Sequence, residues 1–231
     1  MARRRFFVPE VRRGLAELTG RDAEHLVRVL RAEAGQRYEI SDNRDVYLAE
    51  ITSARKSAVS FEVIEKLPEE PEIAPAILVV ALIKFDRFEW LVEKATELGV
   101  AEIRPFEAVR TERGLRQAAE KRMERWERIA FEASQQARRA HLPRLLPVAS
   151  AVEALKTEAA VKLILDEDPG APAIRAAGGG AALLVGPEGG WTDEERKQAL
   201  DAGWRACSLG ATILRTETAA VAGLAIAMHG R

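Results

Sequence analysis

Two short stretches in the last quarter of the chain contain the residue types from which a ligand site is built. Gly186-Pro187-Glu188-Gly189-Gly190-Trp191-Thr192 follows an apolar run at 182–185. Leu209-Gly210-Ala211-Thr212-Ile213-Leu214-Arg215-Thr216-Glu217-Thr218 leads into an apolar run at 219–228. Each reads as a strand, a small-residue loop and a helix. Glycine lets backbone N–H groups approach a ligand closely, and Pro187 stiffens its turn. Two such loops at the ends of neighbouring strands wall a pocket for a small polar ligand, since open α/β sheets bind ligands outside the carboxyl ends of their strands.

The chemistry of the two loops differs. Thr192 and Glu195 have capping-box spacing, which starts a helix at Asp193. A helix start can bind an anion. Here Asp193, Glu194 and Glu195 crowd the first turn and would repel phosphate. Neither Gly-Lys-Ser/Thr nor G-x-G-x-x-G is present. A tight structural turn is the plain alternative for this segment. In the second loop, Arg215 and Glu217 stand at the start of a helix that is apolar almost all round. Such a helix is buried in a core or at a subunit interface, so both charges need partners. Those partners are either each other, as a structural ion pair, or a charged ligand.

The elements that must position these loops follow from the hydrophobic pattern. Residues 1–70 read as a small β-rich, barrel-like module. Strands at 37–41 and 46–51 flank the turn Asp42-Asn43-Arg44-Asp45, another strand covers 58–64, and a helix covers 22–31. The stretch from Leu67 to Pro75 has three prolines and three acidic residues, which suits a linker. From 74 to 231 strands and helices alternate, as in a parallel sheet covered on both faces. The expected strands are 77–83, 101–106, 161–166, 182–185 and 205–209. The expected helices include 86–98 and one long helix at 115–138.

Composition narrows the function. Of 231 residues, 47% are hydrophobic, yet no run approaches the roughly 20 apolar residues that span a bilayer. The N-terminus has no long apolar segment, so a cytoplasmic location is expected. The single Cys207 reads as a buried, inert thiol. His25, His141 and His229 lack metal-ligand spacing, so no metal is expected. The net charge of −1 conceals an asymmetry. Between Arg110 and Arg144 there are ten Lys/Arg against five Glu, and Arg3, Arg4, Arg5, Arg12 and Arg13 cluster near the start. Local basic patches, not net charge, set the footprint on phosphate. A solvated Glu/Arg helix face is the alternative for 121–128.

At this point the chain resembles a known family. Leu184-Val185-Gly186-Pro187-Glu188-Gly189-Gly190 with Leu209-Gly210-x-x-Ile213-Leu214-Arg215-x-Glu217-Thr218-Ala219 is similar to the signature of the RsmE family, the 16S ribosomal RNA uridine N3-methyltransferases of the SPOUT class. Lys94-Ala95-Thr96-Glu97-Leu98-Gly99-Val100, Glu132-Ala133-x-x-Gln136-x-x-Arg139 with Pro143, Arg4 to Pro9 and His25 to Leu30 extend the likeness over nearly the whole chain. Departures are Phe85 where glycine is usual, Gln135 for Glu, Ala137 for Ser and Thr111 for Ser.

The resemblance implies an α/β SPOUT domain at 74–231 with a parallel sheet and a C-terminal trefoil knot. It also implies an N-terminal PUA-like RNA-binding barrel at 1–70 and a homodimer. The implied methyl donor is S-adenosylmethionine, held by Leu165, Val185, Gly186, Pro187, Glu188, Gly189, Gly190, Leu209, Gly210, Ile213, Leu214 and Thr218. Arg4, Arg5, Arg28, Lys84, Arg110 and Arg139 would bind RNA of the small ribosomal subunit or its precursor. Methylation at N3 requires loss of the weakly acidic N3 proton. Arg215, with Arg110 or Arg139, could stabilise the uracil anion, and Glu217 or Glu188 could accept the proton. Arg215 and Glu217 are the catalytic candidates. Two alternatives remain open: a SPOUT methyltransferase acting on another rRNA or tRNA nucleotide, and a non-catalytic RNA-binding assembly factor.

Overall fold

The computed structural model of the chain describes residues 5–68, 75–168, 170–177 and 180–229. They fall into two compact units, bounded as Met1–Glu72 with Ser134–Leu142, and Ile73–Ala133 with Pro143–Arg231. Arg3, Arg4 and most of the expected linker lie outside the described residues.

The first unit contains β1 (Arg5–Phe7), β2 (Val11–Arg12), β3 (Leu15–Thr19), α1 (Gly20–Arg28), β4 (Arg37–Ser41), β5 (Val46–Arg55) and β6 (Ala58–Lys66). Its sheet runs β1-β4-β5-β6-β3-β2. Only β1 and β4 pair in parallel. The β4–β5 turn is closed by Asp42, whose Oδ1 accepts from Arg44 N and Asp45 N at 3.0 and 2.8 Å, and by Asn43 at φ 65°. Register shifts between β5 and β6 bend the sheet. The sheet curls over a core of Phe6, Leu18, Leu26, Ile40, Ile51, Val59 and Phe61. Segment 134–142 is tied into this unit from far along the chain. Arg5 Nη1 donates to Arg138 O at 2.5 Å, Arg138 pairs with Glu39 at 2.7 Å, and Ser41 Oγ donates to Ala140 O at 2.7 Å.

The second unit adds β7 (Ala76–Ala81), α2 (Phe85–Glu97), β8 (Glu102–Glu107), α3 (Leu115–Glu120), α4 (Met123–Gln136), β9 (Arg144–Leu145), β10 (Ala149–Ser150), α5 (Ala151–Leu155), β11 (Val161–Leu165), β12 (Ala181–Val185), α6 (Asp193–Asp201), β13 (Arg205–Cys207) and α7 (Thr216–His229). The sheet order is β10-β8-β7-β12-β11-β13, with β9 beside β8, and every pairing is parallel. Central strands β7 and β12 are apolar throughout because both faces are covered. One face packs on α2, α4 and α7 through Phe88, Leu91, Trp126 and Leu224. The other packs around Trp191, Ala199 and Trp204. Gly223 lets α7 approach the sheet: a Cβ there would lie 2.9 Å from Leu183 Cδ2 and 3.0 Å from Leu165 Cδ1.

The expected single helix at 115–138 is broken at Lys121 and Arg122. Arg122 N bonds back to Ala119 O at 2.8 Å, and α4 begins at Met123. This seats Trp126 against Phe88, with ring centroids 4.3 Å apart, and leaves it fully buried. The last expected strand is also shorter, ending at Cys207. Ser208 instead bridges to Ala173 in the β11–β12 connection.

Candidate functional site

Both loops lie at the carboxyl end of the second unit's sheet, and each is fixed by the elements that flank it. The first loop leaves β12. Its turn closes through Gly190 N to Pro187 O at 2.9 Å, with Gly190 at φ 71°. Trp191 folds back over Gly186, where a Cβ would meet the indole at 2.8 Å, so only glycine fits. The indole stacks on Phe106 at 6.2 Å, and its Nε1 donates to Leu165 O at 2.8 Å. Thr192 caps α6 with the expected capping box. Glu195 is buried there and also accepts from Val109 N at 2.8 Å. Arg110 lies across the loop and donates from Nη1 to Gly189 O at 2.8 Å and Trp191 O at 3.3 Å. Thr216 Oγ1, at the start of α7, donates to Gly186 O at 3.0 Å.

Together the loops line an open cleft of about 110 Å³. Leu165, Val185, Leu209, Ile213 and Leu214 give it apolar walls, and the loop backbones supply donors and acceptors. Among the described residues, Asp166 and Glu167 are its charged groups and no Lys or Arg lines it. Asp166 is buried and holds Arg196 through two bonds of 2.6 and 3.1 Å. Bonding to Asp166 raises the Arg196 pKa above its ordinary value. Glu167 is exposed, with Oε1 3.1 Å from where a Cβ on Gly190 would sit. A cleft with apolar faces and a carboxylate rim suits a cationic, heterocycle-bearing ligand and opposes phosphate.

The residues expected to bind a cofactor divide between different places. Leu165, Val185, Gly186, Pro187, Gly190, Leu209, Gly210, Ile213 and Leu214 line the cleft. Glu188, Gly189 and Thr218 do not. Glu188 turns out to pair with Arg87, Gly189 faces Arg110, and Thr218 lines a neighbouring cleft with Asp86, Arg87, Trp90 and Glu217.

The expected charged residues need correction. Arg215 and Glu217 do not pair and are not both buried. Arg215 is exposed, whereas Glu217 is buried and faces Arg87 Nε at 3.9 Å. Arg5 is not a surface cation: it is 5% exposed and its guanidinium is spent on Glu39 and Arg138 O. Arg110 braces the first loop. Arg139 is half-buried, and desolvation pushes its pKa down to about 10. Arg28 and Lys84 are exposed, and Arg4 lies outside the described residues. Much of the basic stretch is neutralised within the chain: Arg116 pairs with Glu107, Arg122 and Arg125 with Glu89, Arg128 with Glu132, and Arg144 with Glu102. Cys207 is buried, which pushes its thiol up to about 11.

Sequence reasoning missed Asp166, Glu167, Trp191, Arg87 and Arg196. Trp191 had a usable signal, a large aromatic directly after a Gly-Gly pair. Arg87 had none, because its partners Glu188 and Glu217 are more than a hundred residues away.

Comparison with known proteins bears on this geometry. Residues 69–228 match the RNA methyltransferase domain family, and residues 18–64 match the RNA methyltransferase PUA domain family. Ribosomal RNA small subunit methyltransferase E of Bacillus subtilis (strain 168) is 33% identical over 236 residues, 93% of this chain and 92% of that protein. The crystal structure of a ribosomal RNA small subunit methyltransferase E from Neisseria gonorrhoeae, bound to S-adenosyl methionine, matches with a TM-score of 0.87 at 31% identity. It covers 97% of this chain and 96% of the other. A Legionella pneumophila methyltransferase in complex with the bound cofactor SAM matches with a TM-score of 0.86 at 28% identity, over 98% and 97% of the two chains. These likenesses bear out the expected architecture, an α/β RNA methyltransferase domain beside a PUA-like module.

Proposed function

This chain belongs to the ribosomal RNA small subunit methyltransferase E family, and we propose on that footing that it methylates N3 of one uridine in 16S rRNA. S-adenosylmethionine supplies the methyl group. The observation that carries this reading is the cleft at the ends of β11, β12 and β13, which has apolar walls, acidic groups and, among the described residues, no cation in its lining. The walls would hold the faces of the adenine, and backbone groups of 186–190 and 208–214 would read its edge. Glu167 matches the positive charge of the donor, while Asp166 is held by Arg196. The enzyme's contribution is then alignment of donor and base, with stabilisation of the negative charge that develops on the uracil.

The first unit would hold RNA together with exposed cations such as Arg28 and Lys84, so binding should weaken with salt. Arg215 is exposed ahead of α7 and is the cation suited to meet charge on the RNA substrate. A homodimer is supported by α7. Ala220, Leu224 and Ala227 face the core, while Val221, Ala222, Ala225 and Ile226 are only partly covered. A trefoil knot is supported by the β11–β12 connection, which runs beside both Ser208 and Ala227, with Ala177 N bonded to Ala227 O at 3.0 Å. Among the described residues no helix is long and apolar enough to cross a membrane, and no His/Cys/Asp/Glu group could hold a metal. A cytoplasmic site of action follows from the proposed substrate.

The decisive experiment maps modified nucleosides in small-subunit rRNA from cells with and without this protein, by mass spectrometry. One N3-methyluridine should disappear with the protein. An unchanged set of modifications would refute the reading.

A further inference from the structure

We propose that a second cleft, between the first turns of α2 and α7, holds the uracil ring, with Glu217 taking the N3 proton; this rests on the reaction proposed above. The cleft is lined by Asp86, Arg87, Trp90, Glu217 and Thr218. Glu217 is 8% exposed, and its Oε2 is buried without a hydrogen-bond partner. A buried carboxylate oxygen with no donor is costly, and a turn of the side chain that brings this oxygen to a ligand N–H in the cleft would remove that cost. Beside it, the Trp90 side chain is 43% exposed. An exposed indole at the edge of a cleft is a platform on which a nucleobase stacks.

The polar groups match one base edge. Around N3, uracil presents an acceptor, a donor and an acceptor: O2, N3–H and O4. The cleft offers the complement, with the Arg87 guanidinium and the Thr218 hydroxyl as donors and the Glu217 carboxylate as acceptor. Arg87 Nη1 is on Glu188 and Nε faces Glu217 Oε1 at 3.9 Å, which leaves Nη2 for a carbonyl. Cytosine has a lone pair at N3, which would oppose Glu217 and leave the carboxylate unpaired. Asp86 is exposed and adds negative charge, so the cleft favours a base over a phosphate.

The cleft is also placed to work with the first one. Glu217 and Thr218 line it, while Thr216 and Ala219 of the same helical turn line the other. Arg87 reaches Glu188 in the loop that walls the first cleft. In the proposed step the N3 proton passes to Glu217, which then turns aside, because the lone pair it uncovers lies along the former N–H bond and the methyl group must arrive from that side. The N3 electron pair forms the new N–C bond as the methyl–sulfur bond breaks, and its electrons stay on sulfur as a neutral thioether. Glu217 then returns its proton to water. Arg87 is a positioning residue for Glu217 and a donor to the uracil oxygen.

The test uses the full chain. Glu217→Gln keeps the shape and removes the base. It should lower methyl transfer to unmodified small-subunit particles about 100-fold, with affinity for S-adenosylmethionine unchanged by calorimetry. Its residual rate should keep climbing with pH as the uracil N3 ionises unaided. Without any methyl donor, wild type should bind oligouridylate more tightly than oligocytidylate. Trp90→Ala should weaken oligouridylate binding about tenfold, and Trp90→Phe should largely restore it. Transfer by Glu217→Gln within threefold of wild type at every pH would overturn the proposal. So would unchanged oligouridylate binding by Trp90→Ala, or equal binding of the two oligonucleotides by wild type. Failure of wild type to methylate N3 would refute the functional reading, while the donor-free binding arms still judge the cleft.

Discussion

The two loops that wall the first cleft are built by opposite means. Loop 186–191 is braced from several sides: Trp191 over Gly186, Arg110 across Gly189, Thr216 on the Gly186 carbonyl, and the Trp191 indole on Leu165 O. Loop 208–215 is tied mainly at its base, through Ser208 N to Pro172 O at 2.8 Å and the Ser208–Gly210 contacts. Its tip is open: Gly210 to Ile213 are exposed, Ile213 to 80%. One wall is therefore preorganised before a ligand arrives, and the other gains cover when it does. A preorganised wall contributes affinity by reducing the ordering cost on binding. A loose wall gives a route in and out.

If that contrast is right, damage to the braced wall should cost most. Gly186→Val would place carbon where the Trp191 ring lies, since even a Cβ comes within 2.8 Å. Overpacking of this kind costs about 1–3 kcal/mol, and the displaced loop should lose donor affinity by about 100-fold or more. Thermal melting and calorimetry with S-adenosylmethionine would both report it. Wild-type affinity in this variant would show that the bracing is incidental. The next largest effect should come from Arg110→Ala. It removes two bonds to loop carbonyls from an exposed side chain, so stability should change by less than about 1 kcal/mol. Affinity should fall about tenfold, because the loop must then order itself on binding. A larger loss of RNA binding than of donor binding would return Arg110 to the RNA-contacting role expected from the sequence.

The contrast also explains what could be read from the sequence. The braced loop was legible because its cause is local. Glycines next to Pro187, a Thr192–Glu195 cap and an apolar strand before them all lie within fifteen residues, and each took the conformation its chemistry dictates. Strand alternation in the first unit was legible for the same reason. The break at Lys121–Arg122 was not, because it serves the packing of Trp126 on Phe88, a contact between different elements. Nor was the fate of the arginines. Arg5, Arg122 and Arg125 look alike in sequence, yet Arg5 is buried on Glu39 while the other two share Glu89 at the surface. The attachment of 134–142 to the first unit depends on Arg138, Ala140 and Leu142 meeting Glu39, Ser41 and Asn43, pairs about a hundred residues apart that no periodicity marks.

The smallest effects should come from the open wall, and they sharpen the comparison most. Gly210 has φ 122° with nothing within 4 Å of a built Cβ. Gly210→Ala therefore meets backbone strain but no clash, and should cost about 1 kcal/mol in stability with a few-fold loss of donor affinity. Ile213→Ala removes a side chain that touches little in the free protein, so stability should stay within about 0.5 kcal/mol. If Ile213 is covered only when the donor is bound, its burial of about 1.5–3 kcal/mol at most appears in binding alone, as a loss of about tenfold, mainly through faster dissociation. Hydrogen exchange provides the independent check. Amides of 209–214 should exchange fast in the free protein and slow on adding donor, while those of 186–191 should change little. Equal protection of both loops in the free protein would remove the distinction between a fixed wall and a closing one.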